Sequence, residues 1–297
     1  MAASARRLTR RNERLLAQQS VPERTFAGPV ERFHHDCLEE IAVQSTDPEF
    51  LGLSQAWVRA AHAHRYSYHF SWMGRPIIQY PQDIVALQEL IWRIRPRLII
   101  ETGIAHGGSL MLSASMLAML DYCDAAEQDT SVDPRDPDGR RVLGIDIDIR
   151  PHNRAAIEAH PLSHRIMMIE GSSIAPETIE RVRSVAANRG PVMVILDSNH
   201  THDHVLAELE AYAPLTTPGS YCCVFDTLIE DLEGVAWPGR AWSKGNNPRT
   251  AVHSYLQSLD GAARAAAGGG PLKFRIDEHI TQRLLITVAA GGFLQRI

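Results

Sequence analysis

The sequence predicts an α/β protein built on a doubly wound, mostly parallel sheet, and two observations carry that expectation. From Pro81 onward, short apolar runs of strand length alternate with segments whose apolar residues recur at helical spacing. The apolar runs also end in turns rich in glycine, serine and acid, as the carboxyl edge of such a sheet requires. Size and composition agree. The chain has 297 residues, of which 44% are hydrophobic and 22% charged. That is enough for one large domain or two small ones, and it excludes wholesale disorder, a coiled coil or a collagen-like repeat.

The elements follow in order. Residues 1–80 are mixed and aromatic-bearing, with Trp57, Tyr66, Tyr68, Phe70, Trp72 and Tyr80, and read as an N-terminal helical extension. Its first residues carry Arg6, Arg7, Arg10, Arg11 and Arg14 against Glu13 but no apolar centre, which fits a solvated surface helix or arm better than a targeting peptide. Residues 81–297 form the second expected domain. Ile84, Leu87, Leu90, Ile91 and Ile94 line one face of a helix that Pro96 stops. The run 97–101 is a strand, followed by a glycine-containing turn and an apolar helix capped by Ser109. Strands at 142–146, 165–170 and 192–196 each precede a helical segment, and four such units imply a parallel sheet. Residues 220–226 give a fifth strand. The long segment after it is rich in Gly, Pro and Trp and reads as a lid, then LKFRI and RLLITV bring the strand count to seven.

Composition also bounds the partners. A formal charge of −5 gives no basic excess for tracking phosphates, so nucleic acid is not expected. No apolar run approaches the ~20 residues of a membrane span. Cys37, Cys123, Cys222 and Cys223 match neither a paired metal motif nor a disulfide framework, so a reducing, cytoplasmic setting is expected.

Chemistry concentrates at the expected strand ends. The first turn, Glu101 to Ser109, holds Gly103, Gly107 and Gly108 but lacks the spacing of a dinucleotide fingerprint. Its acid would repel a pyrophosphate and receive a cationic amine, although a plain tight turn with a solvated Glu101 has the same pattern. Asp146 ends the second strand, where an acid accepts ribose hydroxyls. Ser172 and Ser173 follow the third, where small polar residues flank a flat base or simply cap a helix. Together the three signals fit an adenosyl amino acid lying across the switch point. Asp197 and Asp226 end the fourth and fifth strands, and their oxygens suit Mg²⁺. His200 is placed to act as a base. The string His200-Thr-His-Asp-His204 falls one residue short of a dinuclear zinc motif, so His202 and His204 are read as polar residues opening the next helix.

The passages FSWMGRPIIQYPQDIVALQELIWRIRPRLIIETGIAHGGSL, GIDIDIRPHN, LDSNHTHDHVLAELEAYAPLTTPGSYCCVFDT and KGNNPRTAV resemble the cephalosporin hydroxylase/rhamnosyl O-methyltransferase family of class I S-adenosylmethionine-dependent enzymes. The resemblance covers about residues 25–297. It implies a Rossmann-like methyltransferase fold whose last strand is antiparallel, with S-adenosylmethionine and often Mg²⁺ bound. It further implies that Glu101, Gly103 and Ser109 form the cofactor turn, that Asp146 holds the ribose, that Asp197 serves the cofactor edge and the metal, and that His200 is the base. One departure stands out. Some relatives carry Glu-Asp after the fifth strand where this chain has Phe225-Asp226, leaving Thr227, Asn199 or water to complete a metal set. The implied function is Mg²⁺-assisted O-methylation of a small hydroxylated acceptor, a rhamnosyl-type glycoside of a natural product, by a homo-oligomer. The alternatives are a noncatalytic partner protein and a nicotinamide-dependent oxidoreductase.

Overall fold

The computed structural model describes residues 28–297 apart from 137, 233, 236, 262, 263 and 268. The arginine-rich segment at 6–14 lies outside the described residues. The chain divides between Thr46 and Asp47 into two compact units. The described part of the first contains helix α1 (Pro29–Gln44), opened by Pro29, whose fixed φ suits the first helical turn.

The second unit, Asp47–Ile297, opens with helix α2 (Pro48–Ala63), capped by the Asp47 carboxylate, which accepts from the Glu49 and Phe50 amides at 2.9 and 3.3 Å. Strands β1 (Phe70–Trp72) and β2 (Arg75–Ile77) then form an antiparallel hairpin. Its two-residue turn, Met73-Gly74, has both φ values positive, which matches the twist of the flanking strands. The sequence showed no alternation here, because three-residue strands are too short to display a period. Helix α3 (Pro81–Ile94) ends just before Pro96, as its pattern predicts.

The sheet follows. Strand β3 (Leu98–Thr102) leads into helix α4 (Gly108–Gln128), β4 (Arg141–Asp146) into α5 (Pro151–Glu158), and β5 (Ile166–Glu170) into α6 (Pro176–Ala186). Strand β6 (Val192–Leu196) leads into α7 (His202–Tyr212), and β7 (Tyr221–Val224) into the long segment before α8 (Pro248–Gly261). Strand β8 (Phe274–Ile276), helix α9 (Glu278–Leu284) and strand β9 (Phe293–Arg296) end the chain. The strand order is β5-β4-β3-β6-β7-β9-β8, with β3 to β7 parallel and β9 antiparallel to both neighbours.

Successive residues of the central strands point to opposite faces, and both faces are covered. Ile99, Met193 and Cys223 pack with Leu87, Leu90 and Leu110 on one side. Leu98, Ile100 and Val194 pack with Val205, Leu209 and Tyr255 on the other. This is why the strands read as unbroken apolar runs.

One strand assignment is corrected. Residues 283–288 were expected to be the seventh strand, but Arg283 and Leu284 end α9, and the strand beside β7 is β9, paired through Cys223 and Phe293. A short apolar run does not by itself distinguish helix from strand. Here the Val288 amide and the Thr287 hydroxyl are spent on the buried Asp83 carboxylate rather than on a ladder.

Candidate active site

The site is built where the strand order reverses, between the carboxyl ends of β3 and β6. Glu101, near the end of β3, is only 1% exposed. Its Oε1 accepts a hydrogen bond from the Ser109 hydroxyl, while its Oε2 is buried with no hydrogen-bond partner among the described residues. Burial pushes its pKa up to about 7, with the Ser109 bond pulling the other way. Ser109 therefore does not cap α4. The cap position belongs to Gly107, whose φ of 84° is left-handed.

Gly103 is required by contact. Its φ is +91°, and a Cβ there would stand 2.1 Å from the Asp197 carbonyl oxygen, so glycine lets β3 and β6 release their turns side by side. The turn is held from two directions. Asp146 Oδ2 accepts from the Ile104 and Ala105 amides at 2.8 and 3.2 Å, and its Oδ1 accepts from the Asp148 amide at 3.1 Å. From β2, the Arg75 guanidinium donates to the His106 carbonyl at 2.9 and 2.7 Å and to Asn153 Oδ1 at 3.0 Å, while Asn153 Nδ2 donates to the Ala105 carbonyl.

The ends of β6 and β7 bring the acids together. One ligand atom from each of Asp197, His200 and Asp226 lies within 4.8 Å of the others. His200 Nε2 is 2.9 Å from Asp226 Oδ2, and its ring meets Trp242 edge-on at 4.7 Å. Asp226 has φ 54°, a left-handed conformation uncommon outside glycine that aspartate tolerates better than most residues. Burial, and then the neighbouring carboxylates Asp226 and Glu101, hold Asp197 well above the usual carboxylate range. Two carboxylates and an imidazole this close form an oxygen-rich set, and it fits a hard divalent cation that would offset the repulsion between the acids.

Gly103, Ser109, Asp197, His200 and Asp226 line one cleft of about 330 Å³. Glu101, Asp146, Ser172 and Ser173 lie outside that lining. Ser173 is 5% exposed, and its hydroxyl is 3.0 Å from His204 Nε2. The Ser172 carbonyl accepts from the Ala175 amide in the turn before α6. His204 also reaches Glu208, and His202 Nδ1 is 2.8 Å from the Thr250 hydroxyl. Both histidines thus fasten α7 to its surroundings. Asn199 Oδ1 accepts from the Thr201 amide and hydroxyl, and the Thr227 hydroxyl donates to the Val288 and Ala290 carbonyls, so both candidates for extra metal ligands are engaged elsewhere.

Among the lining residues that sequence reasoning missed are His62, Gln79 and Tyr80. His62 from α2 lies tilted against Trp237 with ring centroids 4.4 Å apart, and burial lowers its pKa against the pull of Asp226. Gln79 Nε2 donates to Asp197 Oδ2 at 3.0 Å, and Tyr80 closes the wall beside it. None of the three sits in a motif with chemical meaning. The available signal was that Gln79 and Tyr80 fall inside a passage that carried the family resemblance.

A mostly parallel seven-stranded sheet with its penultimate position filled by an antiparallel strand, and an acid-lined cleft at the reversal point, is the architecture of class I S-adenosylmethionine-dependent methyltransferases. The family model described as rhamnosyl O-methyltransferase/CmcI matches residues 64–297, and the chain belongs to that family. It is accordingly an S-adenosylmethionine-dependent O-methyltransferase. Similar proteins include the rhamnosyl O-methyltransferase of Mycobacterium leprae (strain TN), 29% identical over 227 residues, covering 76% of this chain and 82% of that one. The rhamnosyl O-methyltransferase of Mycobacterium tuberculosis (strain ATCC 25618 / H37Rv) is 27% identical over 228 residues, covering 76% and 78%. Among solved structures, CmcI with Mg and SAM shares 17% identity over 77% of each chain at a TM-score of 0.48. The MycE methyltransferase in complex with Mg, SAH and mycinamycin VI shares 18% identity over 69% of this chain and 48% of that chain, at 0.40. No helix among the described residues is long and apolar enough to cross a membrane.

Proposed function

We propose that the protein methylates a hydroxyl of a rhamnosyl-type glycoside with the help of Mg²⁺. The observation that carries this reading is the convergence of Asp197, His200 and Asp226 on one cleft beside the Glu101 turn. The relatives named for rhamnosyl O-methylation support the acceptor class. Glu101 receives the cofactor's ammonium on its unpartnered Oε2, with Ser109 fixing the carboxylate, and Gly103 lets the backbone come close. Asp146 faces the ribose while bracing the turn, and Ser172 and Ser173 border the base. Asp197 and Asp226 hold the cation. The cofactor's sulfonium supplies the methyl group, and a divalent cation supplies Lewis acidity and orients neighbouring acceptor oxygens. His200 accepts the hydroxyl proton on a ring nitrogen, with Asp226 and Trp242 setting the ring's direction. Trp237 and Trp242 offer the acceptor flat apolar walls.

The test is turnover with a rhamnosyl glycoside, read as a mass gain of one CH₂, ~14 Da, the group the cofactor transfers. Chelation should abolish the gain. Asp197→Asn and Asp226→Asn should lose activity that excess Mg²⁺ partly restores, because weakened ligation is a mass-action defect. His200→Ala should lose ~10²–10⁴ in rate with no rescue by metal. Full activity after exhaustive chelation removes the cation from the reading, and normal turnover by His200→Ala removes the base.

A further inference from the structure

Mg²⁺ takes six oxygens, and the acids at the ends of β6 and β7 offer carboxylates from two residues. Phe225 adds none. It is 1% exposed, and its ring packs 6.5 Å from that of Phe293 in the core. Gln79, in the connection between β2 and α3, lines the same cleft and is only 3% exposed. Its terminal amide lies 3.0 Å from Asp197 Oδ2. Two adjacent ligands on an octahedron with metal–oxygen distances of ~2.1 Å stand ~3.0 Å apart, and the spacing between the amide and Asp197 matches that separation.

The amide is also poised to turn. Donating Nε2 to Asp197 leaves Oε1 buried and without a hydrogen-bond partner among the described residues, a state most buried side-chain oxygens avoid. A half-turn of the planar amide exchanges oxygen and nitrogen without moving the chain. It gives up one hydrogen bond and brings an oxygen beside Asp197. The backbone on either side is fixed. Ile77 is buried before it, Tyr80 is wedged edge-on against Trp57 at 5.5 Å after it, and Pro81 then opens α3.

We infer that Gln79 is a third oxygen ligand of the cation site, a neutral one that leaves two carboxylate charges to balance a divalent ion. The inference rests on the cation reading proposed above and adds a residue to it. Mn²⁺ is the probe, titrated by calorimetry into the full chain with no acceptor, with S-adenosylhomocysteine affinity measured in parallel. Gln79→Ala should weaken Mn²⁺ binding at least ~10-fold, the scale of losing a supporting group at a metal site. Gln79→Glu, nearly isosteric and carrying one more charge, should bind Mn²⁺ more tightly than the wild type. S-adenosylhomocysteine affinity should be unchanged in both variants. Wild-type Mn²⁺ affinity in Gln79→Ala, or weakened binding in Gln79→Glu, overturns the assignment while leaving the cation site in place. A loss of S-adenosylhomocysteine affinity with Mn²⁺ affinity retained places Gln79 on the cofactor and overturns it too. No Mn²⁺ uptake by the wild type overturns the cation reading itself, and this inference with it.

Discussion

Glu101 illustrates how a single residue acquires its chemistry from position. In the sequence it is an acid at the end of an apolar run. In the fold it is a buried carboxyl group whose pKa has risen to about 7, with one oxygen tied to Ser109 and the other unpartnered. Because the folded value is raised above the unfolded one, neutral Glu101 contributes stability that is fully present in acid and lost as pH climbs through about 7. A bound ammonium requires the ionised form. S-adenosylhomocysteine should therefore bind more weakly below pH ~7 and tighten as pH rises through it, a dependence that Glu101→Gln should flatten while weakening binding at pH 8 by roughly tenfold or more. Calorimetric titrations at several pH values check this. A variant with wild-type affinity at pH 8 would remove Glu101 from the cofactor site. Gly103 was legible in the sequence as a glycine of the turn, but its reason was not. The contact it permits is with the Asp197 carbonyl, which lies nearly a hundred positions away in the chain.

At the scale of elements, the segment between β7 and α8 combines fixed ends with a central stretch over the site. Glu230 accepts from the Gly245 amide and Asn247, Arg249 pairs with Asp231, and Asn246 accepts from the His202 amide while donating to the Ala241 carbonyl. Asn246 is thus an anchor. Between the anchors, Trp242 lies against His200 with the Arg240 guanidinium 4.9 Å over its ring, and Trp237 lies against His62. If this stretch closes over the acceptor, amide exchange between Trp237 and Trp242 should slow when S-adenosylhomocysteine and a glycoside are both bound, and exchange between Gly245 and Thr250 should change little. Equal exchange with and without ligands would make the stretch a plain surface loop. The hairpin of β1 and β2 is a second element with a role visible only in three dimensions. It seats the start of α4, where a Cβ at Gly108 would stand 2.2 Å from the Pro76 carbonyl oxygen, and it carries Arg75 to the turn between β3 and α4.

Across the whole molecule, the two ends of the sheet-bearing unit are tied by Asp83. This fully buried carboxylate, in the first turn of α3, accepts from the Val288 amide at 3.0 Å and from the Thr287 hydroxyl, joining residues about two hundred positions apart. Asp83→Ala should leave the Val288 amide and the Thr287 hydroxyl proton buried without an acceptor, while the hydroxyl oxygen still accepts from the Ala289 amide, costing about 1–3 kcal/mol for each donor so stranded. Denaturant unfolding measures the loss, and a variant as stable as the wild type would show that the tie is replaceable.

The sequence by itself determined the parallel core and the order of its acids. Strands covered on both faces are apolar along nearly their whole length, so β3, β4, β6 and β7 stand out as near-continuous runs, and the turn after each is where ligand chemistry falls. Glu101, Gly103, Asp146, Asp197, His200 and Asp226 could be named on that ground. Local pattern did not determine the short or long-range pieces. The hairpin strands have three residues each, too few to show a period, and residues 283–288 looked like a strand until Asp83 claimed their polar groups. Gln79 and His62 had no motif, since what makes them part of the site is their distance from Asp197 and Trp237. Alternation and turn chemistry are written in neighbouring residues. Which side chains meet across a sheet edge depends on how the strands are ordered, and only the folded chain fixes that order.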